Sequence, residues 1–330
     1  MTATVNRAVP AGNSPRAPRH SASEGNTLRR RAWFDRSVMP YLLLAPAVLG
    51  IVFLLGYPAV LVFITSFQKL DLAELFSGET VWVGFDNYVE IFSEADFWTI
   101  TLRTVVFTAV VVGGTVLAAL GISLLLKHVP GKIRMILQIC LLLAWATPIL
   151  ASTTVYLWIF DQNFGILNKT LVRIGFDSFA GFNWFQSGLS TLAVIGLLIA
   201  WQAVPFVALT LYAGLLGVPT DLYEAAGIDG ASPWQAFWAV TWPGVRPILA
   251  LATFLSAIWD FKVFTQVYAI RKGGPNGDST TLSILQYLKG QSGSHYGLGA
   301  AVSVIMILIL AVACTQYLRM LIKSSDVELR

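Results

Sequence analysis

Asp260 and Lys262 are charged residues set inside a long apolar run, beside Trp259, Thr265, Gln266 and Tyr268. A charge at membrane depth is costly, so it marks a functional site by default, often on the path of a polar solute. Two residues apart, the pair is expected on different faces of a helix. A second apolar run carries Trp201, Gln202, Thr210 and Tyr212. Aromatic rings beside amides and hydroxyls hold a polar solute without covalent chemistry. Nothing in the chain points to catalysis. No Gly-rich loop ends in Gly-Lys-Ser or Gly-Lys-Thr, so ATP hydrolysis in the usual phosphate-loop manner is excluded. His20, His128 and His295 are scattered. Cys140 and Cys314 lie in apolar runs without metal-ligand spacing, and both are expected to pack as small hydrophobes. Neither a metal nor a cofactor is expected.

The elements that position these residues follow from composition. The chain is 56% hydrophobic and only 12% charged, against about 25% charged for a soluble domain. A spanning helix needs about 20 mainly apolar residues. Six runs qualify, near 41–67, 104–126, 136–160, 191–216, 247–270 and 298–322. The fold class is therefore all-α, a polytopic membrane protein of six spans. Pro46, Pro58, Pro148 and Pro205 interrupt the first, third and fourth runs. Proline is tolerated at membrane depth where neighbours satisfy the freed carbonyls. Residues 1–37 are rich in Ser, Pro, Ala and Arg without apolar periodicity, and read as a disordered tail. The run from Tyr41 is too long for a signal-peptide core and is expected to be retained. Residues 38–323 then form the membrane domain and 324–330 a short C-terminal tail.

An even number of spans places both termini on one side. Between the spans and at their ends, that side carries fourteen Lys and Arg and the other side seven. Cationic residues are enriched on the cytoplasmic face, so both termini are expected inside, with the protein multi-pass in the cell membrane. Arg29-Arg30-Arg31 with Arg36, just before the first span, carry the strongest local signal. The loop Lys127-His128-Val129-Pro130-Gly131-Lys132 reads as a tight cytoplasmic turn. Aromatics of the outer loops, such as Trp82, Phe85, Phe182, Trp184 and Phe185, read as an interfacial belt.

The loop between the fourth and fifth runs differs from a generic connector. Asp221 precedes Glu224 by three residues, as in a capping box, and Ser232-Pro233-Trp234-Gln235 repeats the device with Pro at the first helical position. Gly230 lies between them, where a left-handed helix cap is wanted. Small residues at Ala225, Ala226 and Ala231 leave a flat surface. A rigid helix-turn-helix shaped for a partner is expected. Its residues Glu224, Ala225, Ala226, Asp229, Gly230, Ala231, Pro243 and Pro247 match the full "EAA" loop pattern. In this the chain resembles the inner-membrane permease subunits of ABC importers, over most of residues 38 to 323. The resemblance implies the type I ABC importer transmembrane domain (MetI-like), with a coupling loop at about 217–246.

Other segments narrow the resemblance. Gly84-Phe85-Asp86-Asn87-Tyr88 is similar to the G-x-x-N-Y segment after span one of sugar permeases. Phe261-Lys262-Val263-Phe264-Thr265-Gln266-Val267-Tyr268, then Gly273-Gly274-Pro275 and Thr280-Thr281, resembles the end of span five in carbohydrate permeases of the maltose (MalF) and glycerol-phosphate (UgpA) type. That family often has Asp after the second Phe and Thr-Gly before Gly-Gly-Pro, whereas this chain has Thr265 and Arg271-Lys272. Tyr296-Gly297-Leu298-Gly299-Ala300-Ala301 is similar to the start of the family's span six. The resemblance implies half of a translocation path for a di- or oligosaccharide or amino sugar. It also implies a heterodimer with a second EAA-type permease, a cytosolic ABC ATPase dimer and an extracytoplasmic sugar-binding protein. Trp201, Gln202, Trp259, Asp260, Lys262, Thr265, Gln266 and Tyr268 are the candidates for the path. An ion-gradient-driven sugar transporter is the alternative, but the spans are poor in titratable groups. Nucleic acid is excluded as a partner, because residues 221–242 hold no Lys or Arg to neutralise phosphates.

Overall fold

The computed structural model describes residues 39–328. The tail read as disordered, residues 1–37, lies outside the described residues, as do the last two positions of the chain. Two compact units are distinguished, one up to Val60 and one from Leu61 onward. At the N-terminal end of the described residues, α1 (Met39–Ile51) continues through a π-helical turn at Val52–Gly56 into α2 (Tyr57–Thr65), within which the unit boundary falls. Tyr41–Thr65 is thus one apolar helix of 25 residues.

The second unit is built on four long apolar helices. These are α5 (Ala95–His128), α9 (Gly188–Leu216), the stretch Pro233–Phe261 and α15 (Tyr296–Glu328). The third expected span is instead a bent pair, α6 (Gly131–Trp145) and α7 (Ile149–Ile159), which meet at 96°. Pro148 causes the bend. Its ring disfavours helical backbone at Thr147, and it has no N–H to continue the ladder. Pro148 becomes the residue that starts α7. Pro205, by contrast, lies inside a continuous α9. Among the described residues, five helices are long and apolar enough to span, and six if the bent pair counts as one.

The fifth span also departs from expectation. Residues 247–270 are not one helix: α12 (Trp242–Phe261) stops, and α13 (Thr265–Arg271) begins after a break at Lys262–Phe264. Burial explains the break. Phe261 packs with Phe97, Leu282 and Leu298, whereas Val263 and Val267 pack with Ile195, Leu198 and Phe160. One straight helix could not serve both cores. At its other end α12 joins α11 (Pro233–Ala236) through a π-helical turn at Phe237–Thr241. The last helix runs to Glu328, through residues expected to form a tail.

The loops between spans carry short helices. A two-residue antiparallel pair, β1 (Gln68–Lys69) with β2 (Val81–Trp82), flanks α3 (Leu72–Ser77) and is followed by α4 (Asp86–Ser93). Here the Gly84–Tyr88 segment has a clear structural use. Asn87 Nδ2 donates to the carbonyls of Ser66 (2.9 Å) and Gln68 (3.0 Å), and the Tyr88 hydroxyl lies 2.7 Å from Ser66 Oγ. α8 (Ile166–Arg173) lies in the next loop on that side, where Phe182 and Trp184 pack on each other and Trp184 donates to Asn168 Oδ1. These two rings pack within the loop, whereas Trp82 and Phe85 are exposed. α14 (Leu282–Tyr287) packs on α15, where a Cβ on Gly299 would stand 2.5 Å from Gly290 Cα. Cys140 is exposed and Cys314 half-buried, each on an apolar helix.

Candidate functional site

Two places gather the residues singled out in the sequence. The first is the loop between α9 and α12. Thr220–Ile228 forms α10, and Ser232 caps α11 with a full capping box. Ser232 Oγ accepts from the Gln235 N–H, and Gln235 Oε1 accepts from the Ser232 N–H at 2.8 Å. Gly230 has φ +76°, the left-handed region. Its N–H donates to the Gly227 carbonyl (3.1 Å) and that of Ala231 to Ala226 (2.9 Å), the two bonds that close a Schellman motif. The expected Asp221–Glu224 box does not form. Pro219 sits at the helix start, so Asp221 falls inside the first turn and Glu224 one turn deeper. Asp221 there favours the positive end of the helix dipole. The Glu224 side chain makes no hydrogen bond or ion pair among the described residues.

Glu224, Ala225, Asp229 and Gly230 are exposed; Ala226 and Ala231 are half-buried, and Pro243 is exposed in the first turn of α12. Large apolar side chains are exposed beside them, with Ile228 at 87% and Trp234 at 67%. The loop is pinned from beneath. Tyr223 places its hydroxyl 3.0 Å from Thr241 Oγ1, and Lys127 Nζ sits 3.7 Å from the centroid of its ring. The short Lys127–Lys132 connection is therefore more than a turn: it props α10 through a cation–π contact.

The second place is an open cavity of about 550 Å³ between α6, α9 and the α12–α13 break. Gln202, Trp259, Asp260, Lys262, Thr265 and Gln266 all line it. Asp260 and Lys262 thus share one cavity and not opposite faces, because the helix ends at Phe261 and the chain turns at Lys262. Gln266 Nε2 donates to Gln202 Oε1 (3.2 Å), and Gln202 Nε2 to Ser152 Oγ (3.4 Å). Asp260 is buried, and its Oδ2 has no hydrogen-bond partner among the described residues. Trp201 and Tyr268 lie off the cavity wall: Trp201 faces Tyr156, and Tyr268 stacks on Phe264. Thr210 bonds back to the Phe206 carbonyl, and Tyr212 is buried in the bundle. Sequence reading missed Trp145, Thr147, Phe206 and Ser256 on this wall. Phe206 follows Gln202 by four and Ser256 precedes Asp260 by four, so helical spacing carried the signal for those two. Trp145 and Thr147 are turned in by the Pro148 bend.

Comparison with known proteins fits this architecture. Residues 116–322 match the family described as binding-protein-dependent transport system inner membrane component. A diacetylchitobiose uptake system permease protein, DasB of Streptomyces coelicolor, is 44% identical over 329 residues, covering 100% of both chains. The chain belongs to this family of inner-membrane permeases. A sulfoquinovosyl glycerol transport system permease protein, SmoG of Agrobacterium fabrum, is 32% identical over 89% of this chain and 94% of its own. MalF of the trehalose/maltose transport system of Thermococcus litoralis is 30% identical over 89% and 97%. The permease also shares its fold with a solved bacterial alginate ABC transporter that carries an alginate pentasaccharide-bound periplasmic protein. There the TM-score is 0.73 at 19% identity, over 88% of this chain and 96% of that one. The permease is thus a multi-pass membrane component of a binding-protein-dependent ABC importer, and its task is transport.

Proposed function

We propose that the permease forms half of a translocation path for a saccharide, with the cavity at the α12–α13 break as the solute station. The carrying observation is the chemistry of that cavity. Indole rings of Trp145 and Trp259 stand beside the amides of Gln202 and Gln266, the Thr265 hydroxyl and the unpaired Asp260 Oδ2. Rings cover the C–H faces of a sugar, and amides and carboxylates bond its hydroxyls. A buried oxygen without a partner costs about 1–3 kcal/mol, so a hydroxyl-bearing solute gains by satisfying it. The relatives' printed substrates, diacetylchitobiose, trehalose and maltose, and sulfoquinovosyl glycerol, support a saccharide of two or more units or a glycoside.

In this reading residues 38–323 are the permease domain, and the exposed loop at 217–246 is the coupling element. Both termini and this loop face the cytoplasm. Glu224, Ala225, Ala226, Asp229, Gly230, Ala231 and Pro243 then present α10 to a groove on a cytosolic ATPase dimer, and a second, different EAA-type permease completes the path. ATP-driven movement of the ATPases rocks the spans between outward and inward states. The test is uptake in cells lacking the chain, with radiolabelled N,N′-diacetylchitobiose, maltose and trehalose as probes. The parent chain should restore uptake of at least one. Gln202→Ala and Trp259→Ala should lower that uptake tenfold or more while the ATPase still co-purifies. Uptake of none of the probes, or both variants transporting at the parent rate, would overturn the saccharide path.

A further inference from the structure

α7 and α13 run side by side from the central cavity toward the loops opposite Gly230. Their near ends, Ile149 and Gln266, line that cavity. Their far ends, Leu157 with Ile270 and Arg271, line a second hollow of about 330 Å³. Ile149 and Leu157 are eight residues apart, about 12 Å along one helix. The volume is at the lower end of the roughly 300–1,000 Å³ typical of ligand sites.

The second hollow has an apolar floor and a polar rim. Leu157, Phe185 and Ile270 make the floor; Phe185 and Ile270 are fixed in the core that holds Ile195 and Val267. The rim consists of Asp161, Gln162, Asn163, Asn183 and Arg271. Local bonds hold two of these in place and leave their outward atoms open. Asp161 Oδ1 accepts the N–H groups of Phe164 (2.7 Å) and Asn163 (2.8 Å), which leaves Oδ2 free among the described residues. Those two bonds, Phe164 first, hold the Asp161 carboxyl below the usual carboxylate range, so it stays ionised. Asn183 Oδ1 accepts the Phe185 N–H (3.0 Å), which leaves its NH₂ free to donate. Arg271 lies over the Phe185 ring at 5.3 Å, and no ion pair joins it to Asp161. The side-chain amides of Gln162 and Asn163 make no hydrogen bond among the described residues. One anion, one cation and three amides around an apolar floor suit a neutral, hydroxyl-rich ligand whose C–H face rests on the floor. A phosphate or carboxylate ligand would meet Asp161.

We propose that this hollow is an outer saccharide subsite of the permease, where the solute rests before it moves along α7 and α13 to the central cavity. The inference rests on the saccharide reading above, but it concerns different residues. The test uses thiol protection in the permease pair with its ATPases, reconstituted in lipid with Cys140→Ala and Cys314→Ala. Asn163→Cys is added as the reporter, and Glu79→Cys in another loop as the control. A membrane-impermeant maleimide labels the reporter with the binding protein left out. N,N′-diacetylchitobiose, maltose or trehalose, whichever is taken up in cells, should slow labelling at Asn163→Cys at least fivefold and leave Glu79→Cys unchanged. Sorbitol at equal concentration should have no effect. Adding Arg271→Gln should abolish the protection. Uptake of a probe without protection would overturn the subsite alone. Protection seen only with the binding protein present would make the hollow a protein contact and overturn it too. Equal slowing by sorbitol would do the same. Uptake of no probe would remove the saccharide reading and the subsite together.

Discussion

Replacing Gly230 isolates the shape of the proposed coupling loop from its contacts. A Cβ built at Gly230 has no atom within 4 Å, so Gly230→Ala adds no clash. The whole cost is torsional. At φ +76° an L-residue is less stable by about 1–2 kcal/mol, because its Cβ crowds its own carbonyl. Asn tolerates this region, so Gly230→Asn should cost a smaller part of that. Gly230→Pro fixes φ near −65° and removes the N–H that bonds Gly227; the Schellman closure is then lost. If the ATPase groove reads α10 in this conformation, the torsional cost appears as weaker association, at about 1.4 kcal/mol per factor of ten. Gly230→Ala should therefore weaken ATPase binding about five- to thirtyfold, Gly230→Asn less, and Gly230→Pro beyond detection. The assay is titration of the purified ATPase against the permease pair in nanodiscs, with membrane insertion checked separately. Parent affinity in the inserted Gly230→Pro variant would refute the idea that this turn is part of the coupling surface.

Three further outcomes follow from particular contacts. The Glu224 side chain makes no bond among the described residues, so Glu224→Ala should change the permease's own stability by no more than about 0.5 kcal/mol and still reduce ATPase-coupled uptake; a drop in thermal stability with normal coupling would contradict this. Gly299 faces Gly290 too closely for a side chain, so Gly299→Val should destabilise the purified protein by about 1–3 kcal/mol or more, read as a lowered midpoint of thermal unfolding in detergent. For orientation, a reporter fused after Arg330 should behave as cytoplasmic and one inserted near Gly181 as external, and the reverse pattern would reject the assigned sidedness.

Much of the permease was legible in its sequence because those features depend on near neighbours. Apolar length alone marked the spanning runs, since a bilayer asks only for about 20 apolar residues. The Ser232–Gln235 box and the left-handed Gly230 were readable because a cap is made within four residues of chain. Gln202, Asp260 and Gln266 were found as polar residues in apolar runs, a cue that needs no partner. What the sequence hid depended on distant packing. The break after Phe261 is set by Phe97 and Leu298 on one side and Ile195 on the other, all more than thirty residues away. That break, with the Pro148 bend, turns Lys262, Trp145 and Thr147 toward one cavity. The Asp221–Glu224 pair had the right spacing for a cap, but the helix began two residues earlier at Pro219, and that two-residue shift of register decided its fate. The smaller hollow had no signature at all: Asp161 and Asn183 lie far apart in the α7–α9 connection and Arg271 ends α13, and only the tertiary fold sets them around the same floor.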